Sequence, residues 1–225
     1  MRIRQKLFST LSVVILISMM VACASEPTIQ TGPEAEISFD GLHRVDNSVF
    51  RFVWVEPDID LSHYSKILPG PAEFRYRAVR ATGQRSSANE FPISDENRAR
   101  FEAIVSEIFD EELSSSMFFT VTDVPGPDTL VVVGALDDIV SRVPPQPTAR
   151  GDIWISSVGE ATLILEIIDS TSGEVLARAV DRRAAEPAGR TGTRSSTVSS
   201  TAEVRRLARR WATQLRDGLD SFHES

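Results

Sequence analysis

A chain of 225 residues that contains one cysteine, Cys23, cannot close an intrachain disulfide. Whatever folds here must be held by a hydrophobic core rather than by cross-links. The place of that cysteine is equally informative. Met1 to Lys6 is a short basic head, and Leu7 to Val21 is an apolar run broken only by Ser9, Thr10, Ser12 and Ser18. Met20-Val21-Ala22-Cys23 follows. An ordinary secretion signal ends in a small-x-small site, whereas here small Ala22 precedes a cysteine, the layout of a bacterial lipobox, with Met20 standing where Leu is usual. A thiol suits that place because the acceptor must attack an activated lipid, and thiolate is the strong nucleophile among side chains. The competing reading, a thiol in a retained membrane helix, needs roughly 20 apolar residues, and this run is about 15. Residues 1–22 are therefore expected to be a lipoprotein signal peptide, with lipid attachment at Cys23. Two or more acyl chains, palmitate among them, would anchor the chain stably. Ala24 is not the Asp that retains lipoproteins at the inner membrane, so the expected location is the outer membrane, facing the periplasm of a Gram-negative cell.

Loss of residues 1–22 removes Arg2, Arg4 and Lys6 and no acid, which moves the formal charge from -8 to -11. So acidic a chain is poorly suited to nucleic acid, whose binding rests on neutralising phosphates. The expected partners are instead the membrane, through the anchor, and an envelope protein. With no cysteine left after Cys23, thiol catalysis and cysteine-ligated metal are excluded for the rest of the chain.

Composition divides the remainder. Residues 23–47, rich in Ser, Glu, Pro, Thr and Gly, read as the lipidated cysteine and a flexible tether, and residues 48–222 as a single α/β domain. Phe50-Arg-Phe-Val-Trp-Val55 predicts a strand ended by Glu56-Pro57, and Asp58 to Gly70 reads as irregular. Phe74 to Arg80 alternates like an edge strand. Ser94 to Ser115 predicts a helix with Ser94 as N-cap and Phe101, Ile104, Val105, Ile108, Phe109 and Leu113 along one face. Phe118 to Asp123 and Thr129 to Leu136 read as strands, the second one central and ended by Asp137-Asp138. Ala161 to Ile168, a turn at Asp169 to Glu174 and Val175 to Arg182 form a hairpin. Residues 186–200 read as a mobile loop. Thr201 to Leu219 predicts a second helix, with Ser200 and Glu203 as a capping box and Trp211 on its apolar face. The expected fold is α+β: a mostly antiparallel sheet of about five strands packed against two amphipathic helices.

Four stretches carry a family resemblance. They are Leu61-Ser-His-Tyr-Ser-Lys-Ile-Leu-Pro-Gly70, Pro125-Gly-Pro-Asp-Thr-Leu130 leading into Gly134-Ala-Leu-Asp-Asp138, Val158-Gly159 through Glu166 to Leu176 with Ala179-Val-Asp-Arg-Arg183, and Trp211-Ala-Thr-Gln-Leu215. In this order they resemble an uncharacterised domain-of-unknown-function family of Gram-negative bacterial lipoproteins, over about residues 50 to 220. The resemblance implies no activity, cofactor or catalytic residue.

The chemistry-bearing residues are few. His43, His63 and His223 make no ligand spacing, so no metal is expected. Asp137-Asp138, and Asp58 with Asp60, could act as paired carboxylates, although acids at strand ends also serve simply to cap turns. His63 and Tyr64 could contact a partner or, with Asp137 and Asp138, line a loop-built pocket. There is no Gly-x-Ser-x-Gly elbow and no glycine-rich phosphate loop. Trp54, Trp154 and Trp211 read as core. Arg205-Arg206 and Arg209-Arg210 read as a solvated face that could also dock an acidic partner or lipid headgroups. The expectation is a non-enzymatic envelope lipoprotein without cofactor that docks another periplasmic or outer-membrane component. The alternative is a ligand-binding protein or hydrolase using the His63, Tyr64, Asp137 and Asp138 pocket.

Overall fold

The computed structural model describes residues 26–79, 90–143, 154–155, 158–186, 193–194 and 197–223. Signal residues 1–22 and Cys23 lie outside them, as do most of the residues expected to form the 186–200 loop. In chain order the elements are β1 (Thr28–Ile29), β2 (His43–Asp46), β3 (Phe52–Val55), β4 (Lys66–Tyr76), α1 (Asp95–Leu113), β5 (Thr120–Val121), β6 (Thr129–Ser141), β7 (Trp154–Ile155), β8 (Gly159–Asp169), β9 (Val175–Ala184), β10 (Thr193–Arg194) and α2 (Thr197–Ser221). Eight strands join in one sheet in the order β1-β2-β3-β9-β8-β6-β4-β5, and β7 pairs with β10 separately.

The class is α+β with two helices, as the sequence suggests, but the expected mostly antiparallel sheet of about five strands is replaced by a mixed sheet of eight. In it β4 runs parallel to both β5 and β6, while the pairs from β1 to β9 and from β9 to β6 are antiparallel. The parallel part follows from α1, which lies between β4 and β6 in sequence. A strand, a helix and a second strand of the same sheet make a crossover, and a crossover returns the chain in the same direction.

Burial alternates along β8, where Ala161, Leu163, Leu165 and Ile167 turn inward toward the helices and the residues between them are half-buried. With Ile67 and Leu130, they meet Ile104, Val105, Ile108 and Leu113 of α1 and Ala208, Trp211, Ala212, Leu215 and Leu219 of α2. Each such aliphatic side chain removed from water contributes roughly 1.5–3 kcal/mol. Trp54 departs from the expected core position. It pairs in register with Arg178 on the sheet face opposite the helices and is half-buried there, with the Arg44 guanidinium 5.1 Å over its ring.

Three further expectations change. Strand β4 takes in the last five residues of the stretch read as irregular and contains Pro69, Gly70 and Pro71. Among the described residues it has no strand partner on its outer side beyond Ile67, because β5 pairs only with Lys66 and Ile67. Proline lacks the N–H a ladder needs, so such an open edge is where a strand tolerates it. Strand β6 does not stop at Asp137-Asp138 but runs on to Ser141 through a register shift between Asp137 and Val140, with Asp138 at φ 55. A left-handed residue inside a bulge lets the strand bend and continue. Third, β1 and β2 occupy part of the span read as tether, with Thr28 opposite Asp46 and Ile29 opposite Val45.

Helix α1 starts where expected: the Asn97 N–H donates to Ser94 Oγ at 3.4 Å. Helix α2 starts earlier than expected, so the anticipated capping box does not form. Ser200 lies inside the helix with its Oγ buried and unpaired, and Glu203 turns to Arg206 instead.

Candidate functional site

The structure separates the residues expected to share a pocket. Tyr64 is buried and its hydroxyl donates to Asp169 Oδ2 at 2.6 Å, at the end of β8 that pairs with Leu130. Asp137 pairs with Thr162, seven residues further along β6. At about 3.3 Å per residue, the two sites stand roughly 23 Å apart on opposite ends of the sheet. A pocket lined jointly by His63, Tyr64, Asp137 and Asp138 therefore does not exist.

Each of these residues has a local role. The exposed His63 ring lies 3.9 Å from the Tyr64 ring, centroid to centroid. The Tyr64 hydroxyl, and after it the backbone N–H of Ser172, hold Asp169 at a pKa of about 2, while burial pushes Tyr64 upward. Asp169 Oδ1 also accepts from the N–H groups of Thr171 and Ser172, and Gly173 takes a positive φ of 74. This closes the β8–β9 hairpin, and the Asp169 to Glu174 segment is a turn. Asp137 accepts from Arg75 Nε at 3.3 Å and from the Asp138 N–H at 2.9 Å. Asp138 lies between Arg77 and Arg182, and those guanidiniums, Arg77 first, hold its carboxyl at about 2. Asp60 caps a turn by accepting from the Ser62 N–H at 2.9 Å. His43 Nδ1 lies 2.8 Å from the carbonyl of Gln30, and His223 stacks on Phe118 with centroids 5.2 Å apart. Among the described residues, no group of three or more His, Cys, Asp and Glu side chains could hold a metal ion.

The paired arginines of α2 do not form one solvated face. Arg205 reaches Glu107 at 3.4 Å and Arg209 reaches Glu111 at 2.8 Å, both across to α1. Behind them Glu112, buried between the helices, accepts from Arg216 at 2.6 Å and from Thr213 at 3.1 Å. Arg206 and Arg210, each one position further on, turn away from α1 and line a cleft of about 350 Å³ with Arg182, Arg183, Ala184, Glu186, Glu203 and Leu207. Sequence reasoning missed this cleft because half of its arginines lie on β9. The available signal was the Arg182-Arg183 pair near the end of the hairpin.

Strand β3 pairs with β9 only from Ala177 to Val180, so among the described residues no strand pairs with the end of β9 on that side, and α2 reaches it through the Trp211 indole N–H, which donates to Asp181. Two buried carboxylates serve the cleft, Asp181 behind it and Glu203 in its wall. Asp181 receives Arg183, the Trp211 indole N–H at 2.8 Å and the Arg51 N–H at 3.2 Å, and Glu203 receives Arg206.

The family described as "Protein of unknown function (DUF3313)" matches residues 37–215. The chain belongs to this family. The DUF3313 match takes in β2, all of α1 and most of α2, and so includes both ends of the sheet and the cleft. No curated protein matches the chain. Among solved structures, it is similar to protein XCC0632 of Xanthomonas campestris, from family DUF330, at 11% identity and a TM-score of 0.40, covering 76% of this chain and 91% of that one. It is also similar to the PelC dodecamer of Paraburkholderia phytofirmans, at 11% identity and a TM-score of 0.34, covering 73% and 94%. A provisionally assigned lipoprotein of Caulobacter crescentus CB15 is similar at 11% identity and a TM-score of 0.36, covering 73% and 93%. At these TM-scores none of the three likenesses carries an argument about the DUF3313 chain. Among its described residues no helix is long and apolar enough to cross a membrane.

Proposed function

We propose that this chain is a non-enzymatic envelope lipoprotein, anchored through Cys23 to the outer membrane and facing the periplasm, that docks another envelope protein. The signal-like residues 1–22 and the cysteine after them support the anchor. One structural observation supports docking: both helices cover the same face of the sheet, and the other face carries an apolar band with a charged border. Ala135, Ile164, Val180 and Phe52 pair in register straight across β6, β8, β9 and β3. The next row on one side is Asp137, Thr162 and Arg182, and on the other side Glu166 pairs with Arg178, whose Nε donates to it at 2.8 Å. None of the four apolar residues is fully buried, and Phe52 is 37% exposed. Arg44 lies 4.7 Å over the Phe52 ring and Asp40 bonds Arg178, but among the described residues no helix covers this face. A sheet face without helices is normally polar, and an apolar centre inside a polar rim is the anatomy of a protein interface.

The test places a photo-crosslinking residue at Ile164 or Val180 in intact cells, with exposed Ala202 on α2 as the comparison. The expected result is one protein adduct from the sheet positions and none from Ala202. Absence of adducts from Ile164 and Val180, or the same adducts from all three, overturns the docking face.

A further inference from the structure

We propose that the cleft between β9 and α2 is a binding site for a phosphate group, with Arg183, Arg206 and Arg210 as its donors. It adjoins the docking face at Arg182, a border residue of both, and goes beyond that reading. The chain carries a net charge of -8, yet four arginines from two elements meet around one cleft. Arg182 is used elsewhere, since its terminal nitrogens bond to Asp138 and Glu160 at 2.7 Å each. The other three are available to different degrees. Arg183 gives only its Nε to Asp181, and Arg206 gives only its Nη1, to Glu203 and to the Glu186 carbonyl at 3.3 Å. The Arg210 side chain makes no ion pair and no hydrogen bond among the described residues.

The two engaged arginines are also held in place. Asp181 is 2% exposed and Glu203 7% exposed, so both carboxylates are fixed by packing, and each pins one guanidinium, Asp181 from behind the cleft and Glu203 from its wall. A donor whose orientation is already set loses less freedom when it binds. Leu207 adds an apolar surface between the charged groups.

The number of free donors selects the anion. A carboxylate offers two oxygens to a guanidinium fork, whereas phosphate offers three or four, and guanidinium pairs with phosphate in a bidentate manner. Three partly or wholly unpaired guanidiniums facing one cleft exceed what a single carboxylate can accept. The space suits a phosphate ester with a small attached group. Glu186 on the rim works against a bare dianion and favours a singly charged ester over inorganic phosphate.

A phosphate group can come from a phospholipid head or from a soluble compound, and calorimetry on the detergent-solubilised full chain separates them. One titration uses inorganic phosphate. The other uses phosphatidylglycerol in mixed micelles, with phosphatidylcholine as the zwitterionic control. Saturable binding is expected in at least one, weakened roughly tenfold or more by Arg210→Gln. Arg209→Gln, on the α1 side, should leave binding unchanged. Binding of phosphatidylglycerol alone identifies a lipid headgroup, and binding of inorganic phosphate identifies a soluble source. Arg210 has no partner to lose, so its variant should melt like the parent, and Arg210→Lys should bind with intermediate strength. No saturable binding in either titration, or binding that Arg210→Gln leaves intact, overturns the site without touching the docking reading.

Discussion

Trp211 donates its indole N–H to Asp181 across 2.8 Å, with both side chains inside the core. This bond ties α2 to β9 at the level where β9 loses its second neighbour. Asp181 also accepts from the Arg51 N–H and from Arg183, so one carboxylate joins the β2–β3 connection, the sheet and the second helix. Asp181→Ala would leave an indole N–H, a backbone N–H and a guanidinium without their acceptor. The expected loss is about 3–5 kcal/mol in urea unfolding, with Asp181→Asn losing less because it keeps one oxygen. A loss under about 1 kcal/mol would show that the bond does not hold the helix.

Acid should unfold the protein in a defined window. Asp169 and Asp138 are held at about 2, against an ordinary value of 3.8, by the Tyr64 hydroxyl and by Arg77 with Arg182. A carboxylate with a depressed folded value adds stability that is fully present above the unfolded value and is lost as pH falls through the folded one. The parent should therefore weaken from about pH 4 down to about pH 2. Asp169→Asn should be less stable at pH 7 and show a shallower decline through that window. Equal slopes for parent and variant in denaturant titrations would remove Asp169 from the account.

Two glycines give opposite expectations. A Cβ on Gly159 would collide with the backbone carbonyl oxygen of Val140 on β6, and backbone cannot swing aside. Gly159→Ala should cost about 1–3 kcal/mol and lower the melting temperature. Gly218 lies within α2 and a Cβ there meets nothing within 4 Å, so Gly218→Ala should stabilise by up to about 1 kcal/mol. Equal melting temperatures for the two variants would contradict the close approach of β8 to β6.

The proposed anchor has its own test. Cys23→Ser should abolish palmitate labelling and move the protein out of the membrane fraction. A processed, palmitate-labelled Cys23→Ser protein would show that lipid attaches elsewhere.

Local signals in the sequence proved readable where they were strong. The Ser94 cap, the apolar stripe of α1, the β8–β9 hairpin and Trp211 on the inner face of α2 all follow from spacing and residue type alone. What escaped was set by neighbours. Pro69 and Pro71 argue against a strand unless it is known that β5 stops at Val121 and leaves β4 with an open edge. Asp137-Asp138 looks like a strand end because the sequence does not reveal that Asp138 adopts a left-handed backbone and lets β6 continue. Strands β1 and β2 have two and four residues, too short for a periodic signal, and exist because β3 offers a free edge. The candidate site was obscured for the same reason. Arg205 and Arg206 are adjacent in sequence, yet one belongs to the helix pair and the other to the cleft.

The early start of β1 sets the length of the mooring. Between Cys23 and Thr28 lie only residues 24–27. Even fully extended, that stretch spans about 18 Å. With Cys23 as the proposed anchor, the β1 edge of the sheet stays within about that distance of the bilayer. A partner would have to approach the membrane surface itself, and the strand order beginning at β1 would determine which side of the domain it meets first.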